Sequence, residues 1–145
     1  MIRTMIFDDI DRALPLMKRS FKKNIRPYAM TWHEKSTRDT AVVLISKGIS
    51  FYNEANDSEI DAIISGMIIP SMFDKSTILA QILIWYTEAQ SGVGVKLLKM
   101  FEREAKIRGA HIVMFGSPAE IVRENHKVYT RLGYKGIEAQ YIKEL

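Results

Sequence analysis

The chain contains no cysteine among its 145 residues. Disulfide frameworks and thiolate metal sites are excluded with it. Histidine is scarce too. His33, His111 and His126 show no metal-ligand spacing, so no metal is expected. No apolar run approaches the roughly 18 residues of a membrane helix, so no membrane partner is expected. The opening MIRTMIFDDID lacks the apolar centre of a signal peptide and carries acids by Asp8. A cytoplasmic location is the expectation. Internal repeats, low-complexity stretches and linkers are missing as well.

What remains is ordinary globular material. Hydrophobic residues make up 47% and charged residues 26%, enough for a real core. The length suits one domain over 1–145. Eight methionines read as gap-fillers of that core. The net charge of +4 is unevenly spread. Residues 1–50 hold ten Lys/Arg against five Asp/Glu, residues 51–92 one against six, and residues 93–145 ten against six. A basic final third suits a multiply phosphorylated small ligand. Nucleic acid is a weaker alternative, because no recognition motif accompanies the charge.

Periodicity lays out the elements. Residues 2–7 read as a strand, and Asp8 or Asp9 can cap a helix over 9–23. Ile10, Ala13, Leu14, Met17 and Phe21 share one face of it, with Pro15 inside the pattern. An aromatic-rich loop follows over 24–34, where Tyr28 and Trp32 are candidates to line an acceptor pocket or to cover the core. Ser36 and Asp39 resemble a capping box for a helix that Gly48 would end. Strands are expected over 49–53, 58–70 and 76–86. A helix over 94–108 buries Leu97, Leu98, Phe101 and Ala105, and Gly109 stops it. A short strand over 111–115, a helix over 118–131 ended by Gly133, and one or two strands over 134–144 complete the chain. The order is that of an α/β (α+β) fold around a mixed sheet.

The most informative stretch is ILIWYTEAQSGVGVKLL, residues 82–98, where a strand runs into a glycine turn and then a helix. Glycines let a backbone approach a ligand closely, and a helix N-terminus points free N–H groups at an anion. The turn is neither a P-loop nor a full dinucleotide fingerprint, since the third glycine of the latter would fall at Leu97. A second feature lies about 35 residues on: Asn125 and Tyr129, one helical turn apart, then Leu132-Gly133-Tyr134.

In this order and separation, the two features resemble the GNAT superfamily of acyl-CoA-dependent N-acyltransferases. The resemblance covers about 76–136 by motif, and 1–75 only by the order of elements. It implies a GNAT fold, a mixed and mostly antiparallel sheet flanked by about four helices. It also implies acetyl transfer from acetyl-CoA to a primary amine by direct attack in a ternary complex. Gln90, Ser91, Gly92, Val93, Gly94 and Val95 would bind the pyrophosphate of coenzyme A. The pantetheine arm would lie beside the strand, with an N–H near Tyr86 polarising the thioester carbonyl. Asn125 would touch that arm, and Tyr129 would protonate the departing thiolate. A tyrosine hydroxyl, with a reference pKa near ~10, carries a proton to give at neutral pH. Glu88 and His33 are the candidates for a base, neither preferred. One departure stands out: the family's Gln/Arg falls on Ala89, with Gln90 one residue closer to the glycine.

Each of these residues has a plainer reading. Tyr129 can simply pack, Asn125 can be a surface residue, and Trp85 and Tyr86 can be strand core. Lys96 and Lys99 read as solvated charges, and His111 and His126 have no expected role. The rival to the enzyme reading is a catalytically inactive protein of the same fold that acts as a protein-interaction module. The acceptor is open among antibiotics, polyamines, amino acids, peptide N-termini and protein lysines. A homodimer is compatible with the fold.

Overall fold

The computed structural model describes residues 1–24, 30–56 and 58–145. Residues 25–29 of the expected loop over 24–34, including Tyr28, lie outside the described residues, as does Asp57 of the turn before the third strand. Strand β1 (Ile2–Thr4) leads through a 3-10 turn (Phe7–Asp9) into helix α1 (Ile10–Asn24). Then come α2 (Glu34–Lys47), β2 (Ile49–Glu54), β3 (Ile60–Pro70) and β4 (Ile78–Thr87). The chain continues with α3 (Val93–Ile107), β5 (Ile112–Phe115) and α4 (Ala119–Arg131). No described helix is long and apolar enough to cross a membrane.

The five strands lie in sequence order; β1 to β4 are antiparallel, and β5 joins β4 in parallel. Helices cover both faces. α1 and α2 bury Leu14, Leu16, Met17 and Ala41 against Tyr52, Ile60 and Ile63. α3 buries Leu97, Leu98, Phe101 and Ala105 against Phe51, Ala62, Ile64 and Ile82 on the other side. The centre of β3 is buried on both faces, which is why it reads as an unbroken apolar run rather than an alternation. α1 runs through Pro15, whose side chain is exposed.

Three local expectations are corrected. His33, not Ser36, caps α2: its Nδ1 accepts the Ser36 N–H at 3.2 Å, and Asp39 pairs with Lys35 instead. Asp9 lies in the 3-10 turn, buried, where its carboxylate accepts from the Ile6 N–H, Arg12 and the Tyr52 hydroxyl. No strand forms over 134–144; residues 135–145 are exposed and outside any described element. Alternation there supplies an apolar face, but a strand also needs a neighbour, and β5, at the sheet edge among the described residues, is four residues long.

The β3–β4 ladder carries an irregularity. Ser65 pairs with Ile84 and Gly66 with Ile82, leaving Leu83 as an extra residue. Gly66 is required there, because a Cβ would run into the Gln81 carbonyl and stand 2.8 Å from the Phe101 ring. Phe101 itself is fully buried. Phe101→Ala should cost about 3–5 kcal/mol, read as a lower urea midpoint. Gly66→Ala should also lower that midpoint, although it removes no contact.

Candidate active site

Strands β4 and β5 part company halfway. Their pairing runs from Leu79–Ile112 to Ile82–Phe115 and then stops, while β4 continues to Thr87. Residues 83–87 therefore have no strand on that side among the described residues. Across the gap stand Phe115, Ser117 and the C-terminal turn of α4. At its end lies the glycine turn.

The ladder to β3 fixes which backbone donors face the gap. Glu88 N–H donates to the Asp61 carbonyl at 2.7 Å, and Tyr86 opposes Ile63. Donor direction alternates along an antiparallel strand. The Tyr86 N–H therefore turns toward β3, and the N–H groups of its neighbours Trp85 and Thr87 turn toward the gap. The donors near Tyr86 that face the gap are those of Trp85 and Thr87.

α3 opens on Gly92, whose φ of +90° is left-handed and suits glycine. Val93 N–H bonds Gln90 O at 3.3 Å and Lys96 N–H bonds Gly92 O at 3.0 Å. Among the described residues, the N–H groups of Gly94 and Val95 between them find no acceptor. The first turn carries no acid. Gly94 sits close to β4: a Cβ would come within 3.3 Å of Thr87 Cγ2, and Trp85 Nε1 donates to Gly94 O at 3.2 Å. Free donors at a positive helix end form an anion cradle, and these residues fit a phosphate group without a side chain at Ala89. Gln90 and Ser91 are exposed beside it.

Tyr129 faces the gap from α4. Its ring meets Phe115 edge-on at 5.0 Å and Trp85 at 5.9 Å, and its hydroxyl stands 3.3 Å from Ser117 Oγ. Tyr134 packs on the same Phe115 at 4.9 Å and donates its hydroxyl to Glu102 of α3 at 2.6 Å. Burial, then the neighbouring Glu102, pushes the Tyr134 hydroxyl well above the usual tyrosine range. Asn125 lies one turn before Tyr129, partly exposed. Ser117 was not singled out in the sequence; its only signal was its place in the Gly-Ser-Pro turn that follows β5.

Tyr86 and Glu88 belong to the opposite face. Tyr86 packs toward the α1–α2 side, and its hydroxyl donates to Glu88 Oε1 at 3.0 Å. Arg19 of α1 donates its Nε–H to both oxygens of Glu88, at 2.9 and 3.0 Å. This grip is the main cause that holds the Glu88 carboxyl below its ordinary value, the opposite of what a base near neutral pH needs. Burial, then Glu88, raises the Tyr86 hydroxyl. His33 is engaged as the cap of α2, and Trp32 packs on Phe21 at 5.8 Å. His111 Nδ1 accepts the Ile78 N–H at 2.9 Å, tying the starts of β4 and β5. His126, Lys96 and Lys99 are exposed. Among the described residues no three His, Cys, Asp or Glu gather as metal ligands.

Two surface grooves lie elsewhere: about 320 Å³ beside Met100 and Ile107, and about 470 Å³ between α3 and β5. The gap along β4 is an open splay, which a ligand paired along a strand edge can use without an enclosed cavity.

No protein-family model matches the chain, and no curated protein sequence matches it. Solved structures do. An acetyltransferase from Trypanosoma brucei is 16% identical with a TM-score of 0.75, over 100% of this chain and 99% of that one. A predicted acetyltransferase from Clostridium acetobutylicum, solved with acetyl-CoA, is 17% identical with a TM-score of 0.76, over 99% and 95%. Glucosamine-6-phosphate N-acetyltransferase from Arabidopsis thaliana is 17% identical with a TM-score of 0.73, over 99% and 97%. The fold is that of the GNAT acetyltransferases.

The Arg19–Glu88 pair is part-exposed, with side chains 41% and 34% accessible, so its worth is small. Glu88→Gln should cost under about 1 kcal/mol near neutral pH. Because the folded-state value of Glu88 is depressed from 4.5, its stabilisation is complete above that pH and fades as pH falls through the lowered value. Urea unfolding of parent and variant from pH 7 to pH 2 should show the two curves converging only on the acid side.

Proposed function

We propose that this chain, which has the GNAT fold, is an N-acetyltransferase that moves an acetyl group from acetyl-CoA to a primary amine. The carrying observation is the unpaired edge of β4 over 83–87. It ends on the open N-terminus of α3 and is faced by the Tyr129 hydroxyl. Extended chain, phosphate and leaving group each find a matching surface along one line.

When bound, acetyl-CoA would supply a thioester whose carbonyl carbon accepts the amine and whose sulfur leaves as a thiolate. The residues divide the remaining work. The N–H groups of Gly94 and Val95, with the exposed turn at Gln90, Ser91, Gly92 and Val93, hold phosphate. Trp85 and Thr87 aim N–H groups at the gap, where they can stabilise an oxygen that gains negative charge. Tyr129 can hand its hydroxyl proton to the leaving sulfur, and Asn125, one turn earlier on α4, can steady the arm. The amine enters as its free base. After the C–N bond forms and the C–S bond breaks, its surplus proton passes to water, which also replenishes Tyr129. Glu88, gripped by Arg19, is better suited to shaping the acceptor side with Tyr86 than to taking that proton.

The interaction-module reading retains two supporting features: the alanine at position 89 where the family places Gln or Arg, and the lack of an evident base among the described residues. Ligand binding separates the two. With acetyl-CoA at about 100 times its dissociation constant, the chain should gain roughly 2.7 kcal/mol against thermal unfolding, and ATP at equal concentration should give less. No shift at millimolar acetyl-CoA would sink the enzyme reading. Tyr129→Phe should lower turnover with a panel of primary amines by about 10²-fold while changing acetyl-CoA affinity little. Full turnover in that variant would remove the acid role.

A further inference from the structure

α4 carries Tyr129 yet is weakly anchored. Among its described side chains none is fully buried. The chain beyond it, 135–145, is exposed. What fixes the helix is its C-terminal end.

That end is a tight reversal. Leu132 follows the last helical residue, and Gly133 takes a φ of +89°. Gly133 N–H donates to Thr130 O at 3.0 Å, and Tyr134 N–H donates to Tyr129 O at 3.0 Å. This pairing of bonds is the Schellman arrangement, in which the second residue past the helix end reaches back to the third-last helical carbonyl. Here those two residues are Tyr134 and Tyr129. Their side chains meet the same Phe115 ring, at 4.9 and 5.0 Å. Tyr134 then reaches the other way and donates its hydroxyl to Glu102 Oε1 at 2.6 Å. Both Glu102 and Tyr134 are half-buried, and the short bond to a carboxylate is of the stronger, charge-assisted kind. A continuous link therefore runs from the α3 backbone through Glu102 and Tyr134 to the carbonyl of Tyr129. α3 is also the helix whose N-terminus forms the phosphate cradle.

We infer that Glu102 and Tyr134 are positioning residues: their hydrogen bond holds the end of α4 on α3 and so sets the Tyr129 hydroxyl against the gap along β4. The inference rests on the acetyltransferase reading for its kinetic consequence, but not for its structural one. Phe115 and Leu132 supply bulk packing without direction, and the hydroxyl–carboxylate bond supplies the direction.

The test compares Tyr134→Phe, Glu102→Ala and Glu102→Gln with the parent chain. Tyr134→Phe keeps the ring on Phe115 and removes only the hydroxyl. Amide hydrogen exchange of residues 119–131 in the free protein should quicken about ten-fold or more in Tyr134→Phe and in Glu102→Ala. Turnover should fall about ten-fold in both, with acetyl-CoA affinity within about two-fold of the parent. Glu102→Gln keeps an acceptor oxygen and should recover most of the loss seen in Glu102→Ala. The double variant should be no slower than either single one, because both break one link. Unchanged exchange in α4 would overturn the inference whatever the activity, and faster exchange with unchanged turnover would overturn its catalytic consequence. A parent chain with no acetyl-CoA turnover would defeat the acetyltransferase reading instead, and the exchange arm would still decide whether the link holds α4.

Discussion

The backbone of β4 imposes the constraint on which the site depends. A strand has donors and acceptors on both edges, and buried ones must be satisfied. β3 satisfies one edge of β4 along its whole length, whereas β5 satisfies the other only as far as Ile82. The parting coincides with the extra residue Leu83 opposite Ser65 and Gly66. A bulge bends and twists its strand, and β5 ends at Phe115, so β4 continues past the bulge with that edge open among the described residues. Gly66 permits the bulge because no Cβ competes with the Gln81 carbonyl. A single glycine in a neighbouring strand thus helps to open an edge where a ligand can pair. Trp85 keeps the gap from collapsing, wedged against Phe115 at 5.3 Å and tied by its Nε1 to Gly94 O.

The alternation of β4 then sorts the chemistry. Trp85 points to the α3 side, where Tyr129, Phe115 and the helix N-terminus lie. Tyr86 points to the α1 side, where Arg19 and Glu88 lie. Two adjacent residues of a strand face opposite ways, so groups on the two sides of β4 can act on a ligand at its edge without crowding one another. A slip of one residue in the β3–β4 register would exchange these faces. The tight bond from Glu88 N–H to Asp61 O, beyond the end of the strand, extends the register up to the glycine turn.

Much of this was legible in the sequence where the signal is local. The buried stripe of α3, its glycine entrance, the strand runs and the stops at Gly48, Gly109 and Gly133 all follow from periodicity and backbone conformation. The glycine turn also pointed to backbone donors at the start of α3, and among the described residues the N–H groups of Gly94 and Val95 are free there whatever side chain stands at position 89. The bulge at Leu83 was not legible either, since it depends on the register of two strands. Arg19 grips Glu88 across 69 residues, and Glu102 meets Tyr134 across 32; no pattern within either segment announces its partner. His33 displaced Ser36 as a cap because an imidazole nitrogen can accept an N–H as a hydroxyl does. The strand expected over 134–144 failed for a related reason: alternation describes one strand, while pairing requires two.

The contrast between α3 and α4 shows how rigidity is distributed. α3 buries four side chains completely in the sheet and so holds its N-terminus in a fixed place, as a cradle for a large anion requires. α4 buries none of its described side chains. In the proposed reaction its contribution is one hydroxyl, and a hydroxyl at the end of an aromatic ring is placed by aromatic contacts and directed hydrogen bonds rather than by bulk burial. A helix held mainly at one end can yield when a long ligand threads beside it and return when the ligand leaves, and elements that must move come from the less stable part of a fold. The stable helix would therefore bind and the yielding one would deliver the proton, with Phe115, packed against Tyr129 and Tyr134, at the joint between them.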